Sequence, residues 1–197
     1  MASLAWTALL LVCWCSTTYA HATYYEIDDV TCMSTGAKMA PFYSYHIHVL
    51  FLGTNNVSTQ YAMELRQNFS QTFFPEGIKI CPDLYHQDFL CMFPPGQGGP
   101  FITDQWAVFV PLQDFATTVP WIMQRRTVPG LIKCARCQGP GLPYPALDIM
   151  VHPNSGCEYQ DHLDWPMWAG QQWHLDMTYF TTNFPGNHTQ AVRVGLD

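Results

Sequence analysis

The stretch that most limits what this chain can become is Tyr45 to Leu52, YHIHVLFL. It is rich in β-branched and aromatic residues, as a strand is, and a strand sends successive side chains to opposite faces. Tyr45, Ile47, Val49 and Phe51 therefore share one side, while His46, His48, Leu50 and Leu52 share the other. The first face is too apolar to stay in water, so helices are expected to cover it.

The covering elements are legible downstream. Ser58 to Phe74, STQYAMELRQNFSQTFF, repeats its apolar residues Tyr61, Ala62, Leu65, Phe69 and Phe73 at helical spacing, with Ser58 as cap and Pro75 as stop. A second strand falls within Ile78 to Phe93, FPPGQGGP makes a loop, and QWAVFVPL (Gln105 to Leu112) reads as a third strand. Asp114 is placed to cap a second helix, FATTVPWIMQRR, in which Pro120 predicts a kink or a late start. LDIMVHP (Leu147 to Pro153) supplies the fourth strand, and QWHLDMTYF (Gln172 to Phe180) reads as a last one. The order strand, helix, strand, strand, helix, strand predicts an α+β fold, a ferredoxin-like βαββαβ sandwich. Its four-stranded antiparallel sheet would carry both helices on one face.

In that topology the first and fourth strands are antiparallel neighbours. Leu147, Ile149 and Val151 continue the apolar face, so Asp148, Met150 and His152 point the other way, toward His46 and His48. Three imidazoles are thus expected together on the face without helices. Imidazole is a ligand for Fe, Zn, Cu and Ni, and the next segment, VHPNSGCEYQDHLDWPMWAG, adds Glu158, Asp161, His162 and Asp164. Three His with Glu158 as a loop ligand would leave a metal position open for substrate or oxygen. An H-x-H on a strand is by itself more often a pair of solvated histidines; the convergence with His152 carries the metal reading. His86 is a further candidate, whereas His174 and His188 read as surface residues.

The N-terminus, residues 1–20, has an apolar run from Leu4 to Trp14 that ends in small residues, the pattern of a secretory signal and too short to span a bilayer. Residues 21–42 read as an N-terminal arm and 43–197 as one domain. Three sequons, at Asn56, Asn68 and Asn187, agree with a secreted glycoprotein. Cys13 and Cys15 fall in the leader, which leaves Cys32, Cys81, Cys91, Cys134, Cys137 and Cys157 for disulfides whose pairing the sequence does not choose. The net charge is −7 and Lys and Arg form no basic stripe, which argues against a nucleic-acid partner. No second hydrophobic segment follows the leader, so no membrane partner is expected once it is removed.

YHIHVLF, the VHPNSG box, and the following Asp161, His162, Trp168 and Gly170 together resemble the DOPA 4,5-dioxygenase family, from about Tyr45 to Tyr179. The resemblance implies a ferredoxin-like, commonly dimeric domain that opens the ring of a catechol such as L-DOPA beside its hydroxyls, using O2 and non-haem Fe(II). Zn or Cu would suit the same ligands. It carries over to His46, His48, His152, Asn154 and His162. On that reading His162 is the acid-base residue, Asn154 contacts substrate and Tyr159 or Trp168 stacks on the ring; Arg125 and Arg126 read first as exposed helix-end charges, and alternatively one of them meets a substrate carboxylate. One departure stands out: where family members tend to carry a further His after Gly-Pro, Gly99-Pro100 is followed by Phe101. The alternative reading is therefore a secreted metal- or catechol-binding protein of the same fold that has lost turnover.

Overall fold

The computed structural model describes residues 42–82, 87–127, 146–155 and 157–183. Its elements are β1 (Ser44–Phe51), α1 (Asn56–Phe73), β2 (Cys91–Met92), β3 (Asp104–Pro111), α2 (Leu112–Arg125), β4 (Asp148–Asn154), α3 (Glu158–Leu163), β5 (Met167–Ala169) and α4 (Met177–Asn183). The strands form one sheet in the order β2-β3-β1-β4-β5, and all four pairings are antiparallel. The first six elements reproduce the expected βαββαβ sandwich. The sheet differs in having five strands, because part of the loop after β4 turns back and pairs Met167–Ala169 with Ile149–Val151.

Both long helices cover the face anticipated for them. Ala62, Leu65 and Phe69 of α1 and Val119 and Ile122 of α2 pack with Ile47, Val49, Phe51, Trp106, Val108, Val110, Ile149 and Val151 in one core. At roughly 1.5–3 kcal/mol for each large side chain removed from water, this layer is what holds the sheet flat side to helices. The Trp106 indole also donates to the Ala62 carbonyl at 2.9 Å, which ties α1 to β3.

Three local expectations change. Helix α1 is capped by Asn55, whose side chain accepts from the amides of Val57 and Ser58, so it starts two residues early. Ser58 instead accepts from the Leu52 amide. Helix α2 begins directly after β3, which puts Asp114 in its first turn rather than at the cap. It also runs through Pro120: that residue is exposed, and burial of Val119 and Ile122 outweighs the single backbone bond that proline removes. Finally, QWHLDMTYF is not a strand. Asp176 accepts from the Thr178 amide and hydroxyl and starts α4, leaving only Leu175 bridged to Phe101.

Cys81 is disulfide-bonded to Cys91, and Cys157 is disulfide-bonded as well. Cys32, Cys134 and Cys137 lie outside the described residues, as do the leader, the N-terminal arm up to residue 41, His86 and Asn187. Among the described residues no helix is long and apolar enough to cross a membrane.

Candidate metal centre

Register brings the imidazoles together. His46 lies directly opposite His152 across the β1–β4 ladder, and His48 is two residues further along the same face, opposite Met150. Facing positions in an antiparallel pair put their side chains on the same side of the sheet, so all three rings stand on the face opposite α1 and α2, as alternation predicted. They are 2%, 0% and 1% exposed for His46, His48 and His152, which removes solvent as their partner. One nitrogen from each lies within 4.8 Å of the other two, a group that could hold a metal ion.

The neighbours decide which nitrogens face one another. His152 Nδ1 is 2.8 Å from the Pro153 carbonyl, which can only accept, so Nδ1 carries the proton and Nε2 the lone pair. His48 Nδ1 is 2.8 Å from Gln105 Oε1, an acceptor too, which leaves the His48 lone pair on Nε2. Those two Nε2 atoms are 3.1 Å apart. A cation between or beside them would satisfy both lone pairs at once. Two nitrogens each about 2.1 Å from one ion and at right angles would be about 3.0 Å apart, so the donor set and its spacing suit a divalent metal. Hydrogen bonds that orient ligating imidazoles in this way are the usual outer support of a metal site. Burial, reinforced by His162, His48 and His46 nearby, holds the His152 pKa well below its ordinary value and keeps the ring neutral.

The segment after β4 is built to hold α3 against these rings. Asp161, fully buried, accepts from the Ser155 amide at 2.9 Å and from its hydroxyl at 2.6 Å, and Ser155 Oγ accepts from the Cys157 amide. That clamp docks the short helix beside His152 and brings the His162 ring to a centroid distance of 4.0 Å from it. His162 Nδ1 donates to the Glu158 carbonyl at 2.9 Å, so in the neutral ring Nε2 is the basic atom.

Other anticipated residues take different places. Glu158, expected as a fourth ligand, is not in the three-His group; it opens α3, and its Oε1 is 3.7 Å from His162 Nδ1. Asn154 stands one row beyond the imidazoles and donates to Ser44 Oγ, joining the ends of β1 and β4. The Tyr159 ring packs on Phe180. Trp168 is opposite Met150 on the imidazole face and packs with Leu50, Phe101 and Met150. The two arginines are used elsewhere: Arg125 lies over the Trp121 ring, while Arg126 donates to the carbonyls of Leu147 and Ala169 and stands 3.6 Å from Asp148.

A family model described as the Dopa 4,5-dioxygenase family matches residues 45–132 and 143–179, more than half of the chain. The chain belongs to that family. No curated protein matches it. Among solved structures it is similar to a protein of Nostoc punctiforme, provisionally described as a dioxygenase and determined at 1.46 Å. The two are 20% identical with a TM-score of 0.49, over 72% of this chain and 93% of that one. Membership of the Dopa 4,5-dioxygenase family points to dioxygenase-type chemistry, with O2 and a small molecule as the ligands to be accommodated.

One contributor to the site escaped the sequence reading, and a second was marked by resemblance alone. Gln105 orients His48, and the pattern did contain it: Trp106, Val108 and Val110 face the helices, so Gln105 must face the imidazoles. Phe101 lies against His48 with ring centroids 4.5 Å apart, a contact made by a loop and announced by no periodicity.

Proposed function

We propose that the protein is a secreted, metal-dependent dioxygenase that opens the ring of a catechol with O2 at the His46, His48 and His152 centre. The observation that carries the reading is the pair of Nε2 lone pairs at 3.1 Å, each fixed by a hydrogen bond on the far side of its ring. Bound there, Fe(II) would supply Lewis acidity to the catechol hydroxyls and an electron path between ring and oxygen. The ring bond beside a hydroxyl-bearing carbon breaks, both oxygen atoms enter the product, and the catechol supplies all four electrons, so no further reductant is needed.

The chain's own groups have simpler tasks. His46, His48 and His152 present neutral nitrogens. His162, with Nδ1 held by the Glu158 carbonyl, takes a catechol hydroxyl proton at Nε2 and returns it as the ring opens. The phenyl rings around the imidazoles keep water out. Secretion is supported by the Cys81–Cys91 disulfide, which suits an oxidising compartment, and by the exposure of Asn56 and Asn68, available to carry glycans.

The second reading, a binder without turnover, is favoured by Phe101 at the position where the resemblance anticipates another His. Protein produced through a secretory host, loaded with Fe(II) under argon and then mixed with catechols and air, distinguishes the two. Stoichiometric oxygen uptake with a new visible chromophore supports the enzyme. Metal retained with no oxygen consumed would overturn it in favour of the binder.

A further inference from the structure

Helix α1 carries a second stripe beside the one that faces the sheet. Ala62, Leu65 and Phe69 enter the core, while Met63, Arg66 and Ser70, with Phe74 just past the helix end, recur every three or four residues along an adjacent face. The chain beyond the helix turns back and closes the far side with Ile78, an apolar residue that stays 44% exposed. Between them lies a groove of about 580 Å³, a size that suits a small molecule, and no acidic side chain lines it. Because the helix layer is on the opposite side of the sheet from the imidazoles, this groove is separate from the metal centre.

The cation in this groove meets no acid. Arg66 is half-buried, and its Nε is shut off from solvent with no hydrogen-bond partner among the described residues. Burial lowers its pKa from the ordinary value and no carboxylate opposes the shift, although a guanidinium stays charged at neutral pH. Glu64, two residues away, accepts from Gln60 instead. The other cations among the described residues are each engaged: Arg125 lies over Trp121, Lys79 over Phe89, and Arg126 meets Leu147, Ala169 and Asp148. In a chain of net charge −7, a partly dehydrated cation without an acid is a place kept for an anion from outside.

We infer that the groove beside α1 binds a small organic monocarboxylate with an apolar body, held by Arg66 and by the hydrocarbon of Met63, Phe74 and Ile78. The planar guanidinium matches a carboxylate oxygen for oxygen, and the apolar body leaves water against the three side chains. Charge selects a carboxylate over a phosphate. One guanidinium balances one negative charge, and the groove follows the C-terminal half of α1, whose last carbonyls disfavour a dianion. The site is additional to the metal centre and does not rest on the catechol reading.

The test compares an acid with its uncharged match. Protein from a secretory host, with and without Zn(II), is titrated with 4-phenylbutyrate, 4-phenylbutanamide and inorganic phosphate, following calorimetry and saturation-transfer NMR. The expected result is a Kd for the acid at least about fivefold below that for the amide, the margin of a charge-assisted hydrogen bond over a neutral one. Arg66→Gln, with its fold checked by near-ultraviolet circular dichroism, should raise the Kd of the acid to that of the amide. Ile78→Glu, at an exposed position, should weaken the acid by at least about the same factor. The Kd should not depend on Zn(II). An amide that binds as tightly as the acid overturns the inference, as does an acid indifferent to both substitutions or phosphate binding more tightly than the acid. Acid binding that requires Zn(II) would place the ligand at the imidazoles and overturn it too, and so would absence of binding by the acid.

Discussion

Gln105 gives the sharpest test of the metal centre because it touches no proposed ligand atom. Its Oε1 accepts from His48 Nδ1 at 2.8 Å in a buried setting, and this bond favours the tautomer that turns the Nε2 lone pair toward His152. Gln105→Leu keeps the volume close and removes the acceptor. The His48 Nδ1 proton then has lost its partner inside the protein, at a cost of about 1–3 kcal/mol in the geometry the metal requires. At 1.4 kcal/mol per factor of ten, that corresponds to roughly a 5- to 150-fold loss of metal affinity, in line with the effect of outer-shell residues elsewhere. Competition between protein and a chelator for Zn(II) or Co(II) at pH 7.5 measures it, and the visible spectrum of the Co(II) form shows whether all ligands remain. Affinity within twofold of wild type would refute the tautomer argument. A loss as complete as that of a ligand deletion would show instead that Gln105 supports the whole face.

His48→Ala and His152→Ala should each abolish retention of the ion after gel filtration, and metal kept by either variant would remove that residue from the site. Asp161→Ala deletes two buried charge-assisted hydrogen bonds to Ser155, so unfolding free energy should fall by about 3–5 kcal/mol in urea titrations, with metal content largely kept. Gly170→Ala places a methyl group on Arg126 Nη1 and Asp148 Oδ1 at a positive φ of 106°, and should cost about 1–3 kcal/mol while loosening β5. In metal-free protein, His152 has a folded pKa well below its unfolded value of about 6.5, so its contribution to stability is complete above that pH. As pH falls below it, the unfolded chain takes up a proton that the folded chain refuses, and stability declines by up to about 1.4 kcal/mol per pH unit until the folded pKa is reached. Urea midpoints between pH 7.5 and 5 that do not fall in wild type would contradict this.

The parts of the molecule that could be read in advance are those governed by a strict local period. Alternation along β1 and β4 assigns His46, His48 and His152 to one face whatever the strand limits, because a strand that buries Ile47 and Val49 on one side has no freedom to send its histidines there. What could not be read depends on contacts between distant segments. Phe180 reaches the site from a short helix and nothing in its neighbouring residues records the approach, while Phe101 comes from a loop whose Gly99-Pro100 marks the position by resemblance and by no periodicity. Glu158 stands outside the three-His group for a different reason. Within a loop it could reach the imidazoles, but in α3 the four-residue spacing to His162 sets the two on one helix face, and the carboxylate accompanies His162 instead.

The same burial explains both the chemistry and the fragility of the site. His152, under a layer of phenyl rings, cannot easily accept a proton, since an imidazolium there would lose its water and repel the other rings, the combination that holds its pKa down. Neutral nitrogens at ordinary pH are what a metal needs, so no titration has to precede binding. The same arrangement brings lone pairs together at a point where a cation could sit. An ion that binds only the folded chain adds stability in proportion to the logarithm of its concentration over Kd. Metal loading should therefore raise the unfolding midpoint, by an increment that changes little between pH 7.5 and pH 6 because His152 stays neutral in the folded site over that range. A midpoint indifferent to metal would mean that the convergence of the three rings is a packing arrangement, with hydrogen bonds among them sufficient to satisfy it.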